Sequence, residues 1–228
     1  MKYPSKQSEV SSRDDFLLAI IHDMRAHLRA SLTSAQLLER STGSSLAPAV
    51  LEQLAQIISA NKDLDVLLSR LSDYASASHL GKGKPISLGT ALQTALLQFP
   101  SWPVELKPVT DEAGKQSIRQ EYVRIFVELI DNALKFSSGR PVSVEVAFAD
   151  DTSTTSVKIV DIGIGIDPAD VEGVFLPLTR LNAYDQFPGA GLGLPICRRI
   201  ADAAGATVQL APAPDKGAVA TVTLNASA

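Results

Sequence analysis

The apolar residues of this chain change period part-way along, and that change calls for two separate folding units. From Leu17 the apolar or small positions step by four and three: Leu17, Ile21, Met24, Leu28, Ser31, Ala35 and Leu38. A second run repeats the pattern through Val50, Leu54, Ile57, Asn61, Leu64, Leu68 and Leu71. This is heptad spacing with a narrow apolar seam, held for about three repeats in each helix. Between the runs, Ser41-Thr-Gly-Ser-Ser is a short turn whose glycine and hydroxyls stop the first helix, which spans Phe16 to Arg40. A turn that short makes the two helices antiparallel neighbours. One such hairpin leaves apolar surface uncovered, so a homodimeric four-helix bundle is its expected completion. Asn61 falls in the seam, where one polar residue fixes register at some cost in stability.

Past Gly81-Lys-Gly-Lys-Pro85, expected to be a linker, alternation by two appears. Strand patterns run at Val104–Val109, Val142–Phe148, Ser156–Val160, Thr207–Leu210 and Ala218–Leu224. Helical patterns lie between them at about Gly89–Phe99, Arg119–Ser137 and Leu192–Ala204. Strands and helices mixed without strict alternation predict a two-layer α/β sandwich, with helices on one face of a sheet. The expected whole is an α+β multidomain chain: a helical hairpin over residues 10–80 and a sandwich over 86–228.

Composition narrows the function classes. With 45% apolar residues in 228, both units have enough to form a core. The 21 basic and 25 acidic residues form no basic run of the kind that binds nucleic acid. No stretch is long and apolar enough to span a membrane, and Met1-Lys-Tyr-Pro-Ser-Lys lacks the core of a signal peptide. The single Cys197 rules out an internal disulfide and fits a reducing cytoplasm.

Three histidines are candidates for chemistry. His22 sits one place beyond Ile21, off the seam, with Asp23 next to it and Arg25, Ala26 and Arg29 on the same side. An exposed imidazole, with its ordinary pKa of about 6.5, is a usable nucleophile near neutral pH. A neighbouring carboxylate can hold the ring and take its proton. A histidine on a helix surface is more often merely solvated, and spacing alone does not choose between the two. His27 flanks the seam and is expected to pack, while His79 is expected to end the second helix as a cation.

In the second half, four short stretches occur in order: Glu128-Leu-Ile-Asp-Asn132-Ala-Leu-Lys135-Phe136, Asp161-Ile-Gly163-Ile-Gly165, Phe175-Leu-Pro177, and Gly189-Ala-Gly191-Leu-Gly193-Leu194. Glu128, Asn132 and Lys135 share one helix face. An amide oxygen at Asn132 suits Mg²⁺, which takes few protein oxygens and completes its shell with water and phosphate. Lys135 would meet phosphate as a point charge, and Glu128 would join the metal shell or act as a base. The plain alternative is an amphipathic helix with Ile125, Leu129 and Ala133 inward and a solvated polar face. Asp161 at a strand end can accept from an exocyclic amine such as that of adenine, and Gly163 and Gly165 let the backbone approach the ring. Gly189, Gly191 and Gly193 open a helix whose N–H groups face phosphates. Neither a Walker loop nor a dinucleotide fingerprint is present. The polar segment Thr179–Pro188 suits a lid, or is an ordinary surface loop.

In their order, these boxes resemble the ATP-binding domain of two-component sensor histidine kinases, within the group that includes gyrase, Hsp90 and MutL ATPases. His22-Asp-Met-Arg-Ala-His-Leu28 resembles that family's phosphoacceptor box, and the likeness covers roughly Phe16 to Leu224. It implies that His22 is phosphorylated, with Asp23 its acid/base neighbour. It further implies Asn132 on Mg²⁺, Lys135 on the phosphates and Asp161 on adenine. By the same resemblance, Gly189, Gly191, Gly193 and Leu194 shape the lid end and Phe175 packs its base. ATP and Mg²⁺ are the implied cofactors. A homodimer and a response-regulator receiver domain, whose aspartate takes the phosphoryl group, are the implied partners. Only some fifteen residues precede the first helix, so the input is expected from a partner or from further regions of a longer protein.

Four positions depart from the family's pattern. Ala26 stands where a hydrogen-bonding residue commonly orients water, which predicts weak phosphatase activity. His27 replaces a common proline, predicting a less kinked helix. Glu128 replaces a common asparagine, and Leu178 a common aromatic. Two rivals stay open at this level: a histidine phosphotransferase with a degenerate ATP domain, and an ATPase that uses Glu128 and treats its helices only as a dimeriser.

Overall fold

The computed structural model describes residues 6–42, 46–81, 84–102, 104–107, 114–148, 154–181, 187, 189–214 and 216–225. Two compact units divide at Ser76 and Ala77.

The first unit is a pair of long helices, α1 (Lys6–Thr42) and α2 (Pro48–Ser76). Ile21 and Leu28 pack on Leu68, flanked by Leu17 and Leu71. Further along, Ala35 packs on Leu54 and Ile58, flanked by Leu32. Early residues of α1 meet late residues of α2, which makes the pair antiparallel. The turn residues 43–45 lie outside the described ones. Only half of each heptad seam is used in this packing. Ile21, Leu28 and Ala35, spaced by seven, are buried, whereas Met24 and Leu38 are exposed. On α2, Val50, Ile57 and Leu64, again spaced by seven, are also exposed. Asn61 is half-buried and its amide donates to the Ile57 carbonyl (2.8 Å), one turn back on its own helix.

Three local expectations shift. α1 begins at Lys6 rather than Phe16, because its polar first turns carry no seam for periodicity to detect. Once nucleated, a helix extends at little cost. His27 is exposed rather than packed, and His79 lies past the end of α2 at Ser76.

The second unit is the predicted two-layer sandwich. A two-residue strand β1 (Ile86–Ser87) precedes α3 (Leu88–Leu96), with the Ser87 hydroxyl capping the Thr90 N–H. Next come β2 (Val104–Leu106), β3 (Ser117–Ile118), α4 (Tyr122–Phe136), β4 (Val142–Phe148) and β5 (Thr154–Val160). A 3₁₀ turn (Gly173–Phe175), α5 (Gly193–Ala204), β6 (Thr207–Pro212) and β7 (Ala218–Asn225) complete it. Five strands form one sheet in the order β2-β4-β5-β7-β6, parallel between β2 and β4 and antiparallel elsewhere. β1 pairs with β3 in a separate two-stranded piece, too short to show a period in the sequence.

Register decides which face is buried. Val144 lies beside Ile159, Val157 beside Val222, and Val222 beside Val208. All of these are buried against the helical layer, with Ile125, Phe126, Leu129, Ile130, Ile196 and Ile200 opposite. Glu145 and Lys158, also cross-strand neighbours, point the other way. The Tyr122 hydroxyl donates to the Ala204 carbonyl (3.2 Å), tying the start of α4 to the end of α5. That clamp brings the polar face of α4 against the N-terminus of α5.

Candidate functional site

In the first unit, His22 projects from α1 into solvent, its side chain 78% exposed. The seam explains this placement, since its neighbour Ile21 is buried and fixes the rotation of the helix. Nδ1 of His22 lies 3.3 Å from Oδ1 of Asp23. One turn on, Arg25 donates to the Ser69 hydroxyl of α2 (2.7 Å). Ala26 is exposed and offers no hydrogen-bonding side chain.

The residues expected to hold a nucleotide lie close together in the second unit. Asp161 follows the last residue of β5 and is 5% exposed, anchored by its N–H to the Ala218 carbonyl (3.0 Å). Its Oδ1 is buried with no hydrogen-bond partner among the described residues. Burial pushes the carboxyl up to about 6, opposed by hydrogen bonds from the backbone of Ala218 and Gly163. A buried carboxylate oxygen without a donor is costly, and an amine placed there would relieve it.

Around Asp161 the backbone is too close for side chains. A Cβ on Gly163 would overlap the Phe136 carbonyl oxygen, which accepts from the Ile164 N–H (3.2 Å). A Cβ on Gly217 would overlap the Asp161 carbonyl. Gly217 was missed in the sequence; the Asp215-Lys-Gly turn signal ahead of β7 was the available clue.

On α4, Glu128 is 7% exposed while Asn132 and Lys135 are half-buried, so the polar face is not simply solvated. A Cβ on Gly193 would sit 3.2 Å from both Asn132 Nδ2 and Glu128 Oε2. A Cβ on Gly189, whose φ is +146°, would sit 2.7 Å from Lys135 Nζ. The three α4 side chains and the glycine segment thus face one another at the start of α5. Among the described residues no side chain caps α5 at Leu192, so its first N–H groups are open to an anion. Gly191, at φ +66°, packs on the Thr179 carbonyl, and its own carbonyl accepts from the Leu178 N–H (3.0 Å). Gly165 also needs its left-handed φ of +80°.

Phe175 is buried at the end of the 3₁₀ turn, and Leu194 is half-buried in the first turn of α5. Sequence reasoning missed two neighbours. The Phe187 ring packs on Phe136 at 4.9 Å between centroids, and Arg180 donates to the Phe187 carbonyl (2.8 Å). Residues 182–186 and 188 of the expected lid lie outside the described ones.

Among the described residues no three His, Cys, Asp or Glu side chains cluster as a metal cage. The residues present fit Mg²⁺ in a different way. Glu128 Oε2 and Asn132 Oδ1 lie 3.2 and 3.7 Å from where a Cβ on Gly193 would sit, two oxygens that would suit Mg²⁺ with the other positions left to phosphate and water.

Residues 118–228 match the family described as Histidine kinase-, DNA gyrase B-, and HSP90-like ATPase. The chain is 29% identical over 213 residues to the adaptive-response sensory kinase SasA of Synechococcus sp. (strain JA-3-3Ab), covering 85% of this chain and 54% of that one. It is 28% identical over 237 residues to the autoinducer 2 sensor kinase/phosphatase LuxQ of Vibrio parahaemolyticus, covering 96% of this chain and 27% of that one. It therefore spans between about a quarter and about half of the relatives it matches. In fold it is similar to full-length ShkA, solved in complex with AMPPNP, with TM-score 0.67, 21% identity, and 94% of this chain against 46% of that one. It is also similar to the Acinetobacter baumannii histidine kinase AdeS, with TM-score 0.58, 18% identity, and 89% of this chain against 98% of that one. The likeness extends through the helical hairpin as well as the sandwich.

Proposed function

We propose that this chain, similar throughout to the catalytic cores of sensor histidine kinases, transfers the γ-phosphoryl group of ATP to His22. The observation that carries the proposal is the convergence in the second unit. The orphaned Oδ1 of Asp161, the Glu128–Asn132–Lys135 face and the uncapped, glycine-lined start of α5 supply partners for adenine, metal and phosphate respectively. Asp161 accepts from the adenine amine, Lys135 and the α5 N–H groups hold the phosphates, and Asn132 and Glu128 hold Mg²⁺. When bound, Mg²⁺ supplies charge neutralisation on the phosphate oxygens. Gly163, Gly165, Gly189, Gly191 and Gly193 bring backbone to the ligand, with Phe175 and Leu194 supporting the phosphate turn.

His22 and Asp23 carry the transfer. The 3.3 Å contact fits a ring whose Nδ1–H donates to Asp23, which leaves the Nε2 lone pair free. Nε2 attacks the γ-phosphorus and a P–N bond forms. The bond from that phosphorus to its bridging oxygen breaks, ADP leaves with the electron pair, and the Nδ1 proton passes to Asp23. Positioning and charge neutralisation do most of the work. The phosphoryl group then passes to an aspartate of a response-regulator receiver domain. Ala26 leaves little means of orienting water to hydrolyse the phosphoaspartate of the receiver domain, so phosphatase activity is weak.

The exposed heptad half-seams support a homodimer. Met24 and Leu38 on α1, with Val50, Ile57 and Leu64 on α2, form a second stripe that a copy of the hairpin covers. The described residues contain no helix long and apolar enough to cross a membrane, and we place the kinase reaction in the cytoplasm.

Nucleotide binding separates this reading from a phosphotransferase with a degenerate ATP domain. Calorimetric titration with ATP and Mg²⁺ should show saturable binding, weakened at least tenfold by Asn132→Ala or Asp161→Ala. An absence of binding in the parent would sink the kinase reading and leave the phosphotransferase.

A further inference from the structure

We infer that Arg198 is a positioning residue for the phosphate-binding turn, acting through Phe175; this rests on the nucleotide reading above. Arg198 lies on α5, five residues after Gly193, and its guanidinium carbon sits 3.8 Å from the Phe175 ring centroid. Its Nη1 donates to Glu172 Oε2 at 3.1 Å. The cation therefore grips the 3₁₀ turn from two directions, by its face on the buried ring and by its edge on the carboxylate that precedes the turn. A planar guanidinium does both at once, which an ammonium does poorly.

The turn so held is one wall of the phosphate segment. Beyond Phe175 the chain reaches Leu178, forced to a left-handed φ of 63°, whose N–H donates to the Gly191 carbonyl (3.0 Å). A Cβ on Gly191 would lie 2.7 Å from the Thr179 carbonyl and 3.1 Å from the Leu178 carbonyl carbon. Gly191 leads directly into Gly193, which faces Asn132 and Glu128. A closed circuit results: α5 holds Phe175 through Arg198, the Phe175 turn holds Gly191 through Leu178, and Gly191 sets the start of α5. A non-glycine residue at positive φ persists only where its surroundings over-determine it; the Gly191 carbonyl holds Leu178 directly, and Arg198 holds the turn that leads into it. No link of the circuit runs through Asp161, whose anchors are Ala218 and Gly163. Loss of Arg198 therefore affects the phosphates and spares the base.

The test is titration of the parent, Arg198→Ala, Arg198→Lys and Phe175→Leu with ATP and, separately, with adenosine, alongside thermal unfolding. Arg198→Ala should weaken ATP binding about tenfold and leave adenosine within about twofold, with Arg198→Lys in between. Phe175→Leu should give the same selective loss, and combining it with Arg198→Ala should add little. Equal losses for ATP and adenosine would make Arg198 a merely structural residue and overturn the inference, as would unchanged ATP affinity. If Arg198→Ala does not fold, Phe175→Leu and Arg198→Lys carry the same comparison. A parent that binds neither ligand would overturn the nucleotide reading, and this inference with it.

Discussion

Asp161 joins burial, geometry and pH dependence in one side chain. Its carboxyl titrates near 6 in the folded protein against an ordinary 3.8, because burial disfavours the charge. Between those values the folded state holds a proton that the unfolded chain has released. This group's contribution to stability is therefore full below about 4 and is lost as pH rises through about 6. In the proposed reading ATP binding runs the other way, since the adenine amine would need the ionised acceptor. Affinity should drop about tenfold between pH 7 and pH 5, and Asp161→Asn should flatten that step in a calorimetric pH series. A flat profile in the parent would remove Asp161 from the adenine site. Gly163 offers a second residue-scale check, because an added Cβ would overlap the Phe136 carbonyl, which is backbone and has little room to move. Gly163→Ala should destabilise the second unit by about 2–3 kcal/mol in denaturant unfolding, and an unchanged midpoint would contradict the packing described.

At the scale of elements, the helices carry their own signature in the sequence and the short strands do not. The heptads at Leu17–Leu38 and Val50–Leu71 mark α1 and α2, and the stretch of α1 before Phe16 is silent because its sequence carries no apolar repeat. The alternation in Val142–Phe148 matched β4 residue for residue, since one face is core and the other solvent. β1 and β3, two residues each, have no room for a period. Within the site, Glu128, Asn132 and Lys135 were legible from helical spacing. Gly217, Phe187 and Arg198 were not, because each meets a partner distant in sequence, and Arg180 was not, because it meets a backbone carbonyl across an irregular segment. The exposed half-seam makes an element-level prediction. Replacing Ile57 and Leu64 together by aspartate should convert a dimer to a monomer in analytical ultracentrifugation. Both side chains face away from the partner helix of their own hairpin, so helicity should persist. A dimer that survives the double change would place the interface elsewhere.

At the scale of the molecule, the two units divide the chemistry between them. In the proposed reading, one presents the exposed His22 as nucleophile, and the other gathers the groups that would hold a nucleoside triphosphate. A kinase needs both, whereas an ATPase using Glu128 needs only the second and would leave no phosphate on the protein. Incubation with γ-labelled ATP and Mg²⁺, comparing the parent with His22→Gln, tests this most directly. The expected result is acid-labile, base-stable label on the parent and none on His22→Gln, with ATP affinity unchanged between them. Rapid phosphate release with no labelled protein, or equal labelling of both, would contradict the assignment of His22 as the phosphoacceptor.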